Sequence, residues 1–326
     1  MAGSAPSGSS GASGSTAAPS GGGGGNGSVG AGILTAGVWD DNKNFDRFLS
    51  YRAEVLKQQL PGLLPIEEAE HRAARDALAA AAGPRQKLDV SLVIDTTGSM
   101  GDEIAYLQKE FSALAGTIQT KFPGAEQRWS LVVYKDTTDS FVVRWFDFRS
   151  DTNEFQTKLA SASAGGGGDF PEASDQALDA ATRLSWRADP SVAKLMFWVA
   201  DAPHHAGTEK RFASAIKSAR DQSIHVYPVA SSGVDELTEL SMRSSAQLTG
   251  GRYVFLTDDS GVGGTHKEAS VPCFFVTKLD KAILRMVDIE MTGTYREPEA
   301  SEVLRKGGDP KSGVCQLEGG QQVTIY

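Results

Sequence analysis

Three oxygen-bearing side chains follow the short apolar run at residues 92–94. They are Asp95, Thr97 and Ser99, spaced at i, i+2 and i+4. Such a turn can direct one carboxylate and two hydroxyls onto a hard divalent cation, which takes oxygen ligands. An isolated match is weak, because Asp or Ser at a turn also caps backbone amides at the start of a helix. The turn therefore predicts a cation site only in combination with other ligands.

Two further turns bring acids that could complete such a site. The glycine run Gly165–Gly168 leads to Asp169, and the very apolar segment 195–200 leads to Asp201. A phosphate-binding loop would carry Lys and Ser or Thr after its glycines, and this run has neither. We therefore predict that the loop delivers the carboxylate of Asp169 to a metal. Glu172 is interpreted as an acid that complements the dipole at the start of the next helix.

The elements that must position these turns alternate between strand and helix from residue 88 onward. Apolar runs near 88–94, 129–134 and 195–200 predict buried strands, and apolar residues spaced three and four apart predict a helix at 102–121. We expect an α/β fold with a doubly wound, mostly parallel sheet, in which ligand-binding turns lie beyond the carboxyl ends of the strands. Pro228 predicts that its own strand lies away from the middle of the sheet.

The composition divides the chain into four parts. Residues 1–32, mostly Gly, Ser, Ala and Pro, read as a flexible tether, and 33–85 as a small helical appendage that begins with a short strand. The α/β domain is expected at 86–295. Residues 296–326 are expected to form a short irregular or β extension.

Charge and hydropathy restrict the partners. The chain has 326 residues, of which 40% are hydrophobic and 22% charged, with a formal net charge of −9. The absence of a basic stripe argues against nucleic-acid binding. No apolar run reaches the roughly 18 residues of a membrane helix, so we expect no transmembrane segment.

The three turns together resemble the metal-ion-dependent adhesion site of the von Willebrand factor A (vWA) domain family. The resemblance covers about residues 86–295 and implies a bound Mg²⁺, with Ca²⁺ or Mn²⁺ as alternatives. Its implied ligands are Asp95, Thr97, Ser99, Asp169 and Asp201, with Asp201 acting through water. Asp169 stands where the family commonly has Thr, and a third carboxylate should tighten cation binding while weakening the attraction for an acidic partner.

This resemblance implies a divalent-cation-dependent module that binds a protein ligand, through an acidic side chain of that ligand, rather than an enzyme. One alternative is a cytoplasmic scaffold or ATPase-partner subunit. Another is a metal-dependent hydrolase, for which His204 is the one plausible general base. A zinc site at His204 and His205 is disfavoured, because adjacent histidines point apart and no further zinc ligand motif accompanies them.

Two features bear on location. The sequence starts with a tether and shows no signal peptide, so the chain is either cytoplasmic or a secreted or lipid-anchored envelope protein whose signal was removed. We favour the second interpretation. Cys273 and Cys315 would form a disulfide bond in an oxidising compartment and remain reduced thiols in the cytoplasm.

Overall fold

The computed structural model describes residues 33–78, 84–261 and 265–325. The predicted tether therefore lies outside the described residues. The helices are α1 (Phe45–Lys57), α2 (Glu68–Leu78), α3 (Gly101–Lys121), α4 (Thr152–Ala160), α5 (Ser174–Thr182), α6 (Glu209–Asp221), α7 (Glu236–Thr249) and α8 (Leu279–Thr292). The strands are β1 (Thr35–Trp39), β2 (Lys87–Asp95), β3 (Glu126–Tyr134), β4 (Val143–Arg149), β5 (Val192–Ala200), β6 (His225–Ala230), β7 (Tyr253–Thr257), β8 (Phe274–Lys278), β9 (Arg305–Gly307), β10 (Pro310–Lys311), β11 (Val314–Gln316) and β12 (Gln322–Thr324).

Nine strands form the main sheet, in the order β4-β3-β2-β5-β6-β7-β1-β8-β9. Strands β3, β2, β5, β6 and β7 are mutually parallel, and β4 runs antiparallel to β3 at one edge. The predicted α/β class with a mostly parallel sheet is confirmed. Because β2 and β5 are neighbours, the turns after Asp95 and Ala200 lie at the same edge of the sheet.

Side chains of the strands alternate between two apolar cores, one on each face of the sheet. In β2, Val93 enters the core with α5, α6 and α7, whereas Leu92 and Ile94 enter the core with α3, α4 and α8. Both faces of the central strands are therefore covered, as a parallel sheet requires.

The N-terminal segment contributes a strand to the sheet itself. Strand β1 pairs antiparallel with β7 along its whole length and with β8 at Thr35 and Ala36. Helices α1 and α2 then pack on α7, whose residues Leu237–Thr249 are all buried. Polar side chains also pair in this outer layer. Arg243 of α7 binds the buried carboxylate of Asp41, which precedes α1, at 2.7 and 3.0 Å.

The expectation that Pro228 keeps its strand from the middle of the sheet is wrong. Strand β6 lies between β5 and β7, and Pro228 stands opposite Trp198 of β5. The pairing of β6 with β7 comprises only Val229 and Ala230, after the proline. Proline has no backbone N–H to donate to a neighbouring strand. This is tolerated at Pro228 because the pairing with β7 begins only at the next residue, Val229.

A three-stranded sheet of β10, β11 and β12 closes the C-terminal part. A disulfide bond joins Cys315 of β11 to Cys273, with both residues buried, and the side-chain amide of Asn44 exchanges two hydrogen bonds with the backbone of Thr324. The β character predicted for the C-terminal extension is present. Within the described part of the chain, none of the helices has both the length and the apolar character needed to cross a bilayer.

Candidate metal centre

The Asp95 turn is held rigidly at the end of β2. Oδ1 of Asp95 accepts hydrogen bonds from the backbone N–H of Thr97 at 2.9 Å and from its hydroxyl at 2.7 Å. The backbone N–H and the hydroxyl of Thr96 both donate to the carbonyl of Tyr134 on β3, each at 2.8 Å. The other oxygen of Asp95, Oδ2, is buried and has no hydrogen-bond partner among the described residues.

The second and third predicted ligands meet at the same edge. Asp201 directly follows β5 and is buried, and Ser99 lies close enough to Asp201 to lower its pKa. Burial raises the pKa of Asp201. The structure thus brings together four of the five predicted residues, Asp95, Thr97, Ser99 and Asp201.

The glycine loop packs directly on this turn. The amide of Gly165 donates to the carbonyl of Thr96, and the carbonyl of Gly166 accepts from Gly98, both at 3.1 Å. Gly166 has φ +82°, and a Cβ added there would lie 2.1 Å from Oδ1 of Asp139. Glycine is therefore required at this position both for its backbone conformation and for its small size.

The two acids of the glycine loop, Asp169 and Glu172, differ from the sequence-based expectation in their burial. Asp169 is exposed and makes no hydrogen bond or ion pair with the described residues. Glu172 is 3% exposed, and its Oε2 is buried without a partner. Its interpretation as a helix-dipole acid missed this burial. The available signal was Pro171, which keeps the preceding Phe170 extended; α5 begins only at Ser174, so Glu172 lies before the helix rather than in its first turn.

The carboxylates at this edge repel one another. Burial, followed by the charge of Asp201, raises the pKa of Asp95 to about 7, although the hydrogen bonds from Thr97 and the nearby side chain of Tyr134 oppose that rise. Burial and the charges of Asp95, Asp136 and Asp201 raise the pKa of Glu172 to about 9. A site that crowds buried carboxylates in this way is suited to binding a cation, which would offset their charge.

Asp136 and the two histidines lie next to this group. Asp136 contacts Nε2 of His205 at 2.6 Å, and although burial opposes ionisation, hydrogen bonds from Thr137, His205 and Thr138 lower the pKa of Asp136 to about 2. His204 is 1% exposed, and its ring packs on Phe212 with centroids 4.7 Å apart. Burial lowers the pKa of His204.

A metal site at the Asp95 turn would need hydroxyl ligands in addition to acids. Across residues 33–78, 84–261 and 265–325, no group of three or more His, Cys, Asp or Glu side chains could by itself hold a metal ion. The donor set at the Asp95 turn differs from such a group because it combines two acids with Thr97 and Ser99. Its buried, partnerless Oδ2 atom fits a hard cation, which accepts this mixture of carboxylate and hydroxyl oxygens.

A sequence model of the von Willebrand factor A domain matches residues 89–264, more than half of the chain. The chain belongs to the vWA domain family. The matched vWA region begins in β2 at Asp89 and includes all five predicted ligand residues.

Two curated relatives are similar to part of this chain. Alpha-protein kinase vwkA of Dictyostelium discoideum is 29% identical over 123 residues, which cover 37% of this chain and 19% of the kinase. A putative ariadne-like RING finger protein of Acanthamoeba polyphaga mimivirus is 27% identical over 128 residues, which cover 38% of this chain and 12% of that protein. The matches thus span a fifth or less of each relative's length. Among solved structures, the pilus adhesin SpaC of Lactobacillus rhamnosus GG aligns with 53% of this chain and 29% of its own, with a TM-score of 0.40 and 13% identity.

Proposed function

We propose that this vWA domain is a cation-dependent protein-binding module whose metal site is formed by Asp95, Thr97, Ser99 and Asp201. The observation that carries the proposal is the buried Oδ2 of Asp95, which lacks a hydrogen-bond partner among the described residues. A buried polar atom without a partner is costly, and a cation would supply one. Mg²⁺ is the proposed ion, with Ca²⁺ or Mn²⁺ as alternatives, because all the donors are oxygens.

The chain's own residues would prepare this site before a cation arrives. Thr97 fixes Oδ1 of Asp95 through two hydrogen bonds, and Asp201 is buried close to Ser99. When bound, the cation would supply positive charge that attracts an oxygen of a partner protein. Rigid donors favour such binding, because little conformational entropy is lost when the ligand arrives.

One acid of the glycine loop joins the set in this proposal, and two residues compete for that role. Asp169 is the acid that the sequence predicts as a ligand, and it is exposed. Glu172 is buried, and its carboxylate lies close enough to Asp95 and Asp201 to be affected by their charges. Asp169→Asn and Glu172→Gln form a matched pair of variants, because each removes one charge and keeps the side-chain size.

The test is isothermal calorimetry of Mg²⁺, Ca²⁺ and Mn²⁺ added to protein that has been freed of metal with a chelator. We expect saturable binding to the wild type and its loss in Asp95→Asn. The loop-acid variant that lowers the affinity identifies the loop ligand. Equal binding by the wild type and Asp95→Asn, or no binding by either, would contradict the proposed site.

We propose that the module works outside the cytoplasm, at the cell envelope or in secreted form, with the Gly/Ser-rich residues 1–32 as the tether of a lipid anchor. The buried Cys273–Cys315 disulfide supports an oxidising compartment. Alkylation of the protein as it is isolated from its native source, followed by mass spectrometry, tests this. Free thiols in such protein would place it in a reducing compartment.

A second candidate is an interaction module within a larger signalling protein. It is favoured by the two curated relatives, a kinase and a RING finger protein, each of which contains the matched region as a small part. We propose binding rather than catalysis in both cases. The same thiol measurement separates the two candidates, because a cytoplasmic scaffold would carry reduced cysteines.

A further inference from the structure

A pocket of about 370 Å³ adjoins the candidate metal centre. Its floor is the face of β3 and β4 that carries Leu131 and Phe146, and one wall is the segment 161–166. Thr96, which lies between Asp95 and Thr97 in sequence, also lines the pocket. Gly165 and Gly166, which pack on the Asp95 turn, therefore also line this pocket.

The pocket carries three cationic side chains, Lys135, Arg144 and Lys158, in a chain whose net charge is −9. Among the residues that the structure describes, none of the three forms an ion pair. The acid that shares the lining, Asp139, is already engaged by the amides of Gly167 at 2.9 Å and of Asp136 at 3.2 Å. Asp139 offsets one positive charge without forming an ion pair with any of the three cations, which leaves the pocket with a net positive charge in the described structure. We call this the basic pocket.

Lys135 is the most informative of the three. It is 7% exposed, and its ammonium group donates to the carbonyl of Thr96. An ammonium group has three donors, and the structure gives a partner to one of them. A buried cation with donors to spare is costly unless an anion is supplied from outside the fold.

All three cations lie over aromatic rings, and the ammonium group of Lys135 is 5.7 Å from the ring centroid of Phe141. The guanidinium of Arg144 lies 4.1 Å from the ring centroid of Phe141, and the ammonium of Lys158 lies 5.1 Å from that of Phe146. Cation–π contacts position these groups without neutralising their charge. Their positions leave them available to an anion that enters the pocket.

We propose that the basic pocket, Lys135, Arg144 and Lys158, binds an acidic side chain from an extended acidic segment of the partner protein. This inference rests on the proposed function, in which a neighbouring oxygen of the same partner meets the cation. The partner's chemistry follows from charge complementarity, because a carboxylate can accept from the spare donors of Lys135 and from Arg144. Because Thr96 lines the pocket between Asp95 and Thr97 in sequence, we take one segment of the partner to reach both places.

The experiment measures fluorescence anisotropy of a fluorescein-labelled octaglutamate peptide with the full chain, in excess Mg²⁺ and in chelator. Octaglutamine is the control peptide. The test variant is Arg144→Gln with Lys158→Gln. The matched control is Arg183→Gln with Lys311→Gln, which removes the same charge from side chains 75% and 77% exposed.

We expect the wild type and the control variant to bind octaglutamate equally in Mg²⁺ and to ignore octaglutamine. The test variant should bind about tenfold more weakly, since each exposed ion pair is worth about 0.7 kcal/mol. Added salt should weaken the wild type more than the test variant. Lys135→Met, checked for folding by circular dichroism, should weaken binding further.

The outcomes separate this inference from the proposed function, because calorimetry measures Mg²⁺ binding directly. Mg²⁺-dependent peptide binding that is unchanged in the test variant would overturn the basic pocket and leave the metal site standing. Binding that needs Arg144 and Lys158 but not Mg²⁺ would support the pocket and count against the metal bridge. Absence of octaglutamate binding, or tighter binding of an oligodeoxythymidine at the same residues, would overturn the assignment to an acidic protein segment.

Discussion

Asp95 and Asp89 lie near opposite ends of the same buried strand, and replacing each with asparagine should change stability in opposite directions. Both side chains are fully buried. Asp89 accepts hydrogen bonds from the guanidinium groups of Arg128 and Arg187 at 2.6 to 3.0 Å. Asp95 has no such cationic partner, and its Oδ2 lacks a hydrogen bond to any described residue. The two carboxylates therefore form a matched pair that differs in charge compensation.

The expected gain for Asp95→Asn follows from its raised pKa. Burial, with a contribution from Asp201, raises that pKa from the ordinary 3.8 to about 7. The unfolded chain releases this proton more easily than the folded chain, so ionisation destabilises the folded state as the pH rises. At about 1.4 kcal/mol per pH unit, the cost at about pH 8 is about 4 kcal/mol. Asparagine avoids this cost but weakens two hydrogen bonds from Thr97 by about 1 kcal/mol each, which leaves a gain of about 2 kcal/mol.

The assay is urea denaturation in the presence of a chelator at about pH 8, with unfolding monitored by tryptophan fluorescence. Asp95→Asn should raise the free energy of unfolding by about 2 kcal/mol, and Asp89→Asn should lower it by about 2 to 3 kcal/mol because two partly buried guanidinium groups lose a charged acceptor. Excess Mg²⁺ should then stabilise the wild type, by about 2.7 kcal/mol at a hundredfold excess over Kd, and leave Asp95→Asn unchanged. A loss of stability in Asp95→Asn comparable to that in Asp89→Asn would refute the reasoning, because it would make Asp95 a structural partner.

Three further predictions address the scaffold and the loop. Replacing Cys273 and Cys315, which are 42 residues apart, with alanine should lower the free energy of unfolding by about 4 kcal/mol in denaturant titrations; a loss under about 1 kcal/mol would contradict this. Burial lowers the pKa of His71 from 6.5 to about 4. Between these two pH values the unfolded chain binds a proton at His71 and the folded chain does not. Stability should fall by up to about 3 kcal/mol between about pH 6.5 and 4, and His71→Gln should remove that part of the pH dependence. Gly166→Ala, at a positive φ and in contact with a carboxylate, should strain the loop by about 1 to 3 kcal/mol and weaken Mg²⁺ binding in calorimetry, whereas Gly168→Ala, with open space around it, should not.

Local sequence patterns predicted the individual strands and helices better than they predicted the order of the strands in the sheet. The runs that become β2, β3 and β5 are apolar because both faces of a central parallel strand are covered, and this signal is readable along the chain. The place of β1 between β7 and β8 is not readable, since it depends on pairing across more than 200 residues, such as Thr35 with Thr257. Pro228 misled for the same reason, because the sequence does not state where the ladder with β7 begins.

The same distinction applies to the candidate site. The common placement of Asp95, Thr97, Ser99 and Asp201 could be predicted because each lies at or just after the end of β2 or β5, and strand ends converge at one edge of a parallel sheet. The loop between α4 and α5 has no such constraint. Its glycines permit several backbone paths, so spacing alone cannot decide which of its two acids, Asp169 or Glu172, turns inward.

The basic pocket resolves an electrostatic difficulty of the proposed function. A divalent cation with Asp95, Asp201 and one loop acid would carry a formal charge of about −1, which repels an acidic partner. Lys135, Arg144 and Lys158 place up to three positive charges beside that centre. Under this arrangement the cation would orient one partner oxygen, while the pocket supplies the attraction that the metal centre lacks. Neutralising the pocket should therefore reduce the association rate and its salt dependence more than it changes Mg²⁺ affinity.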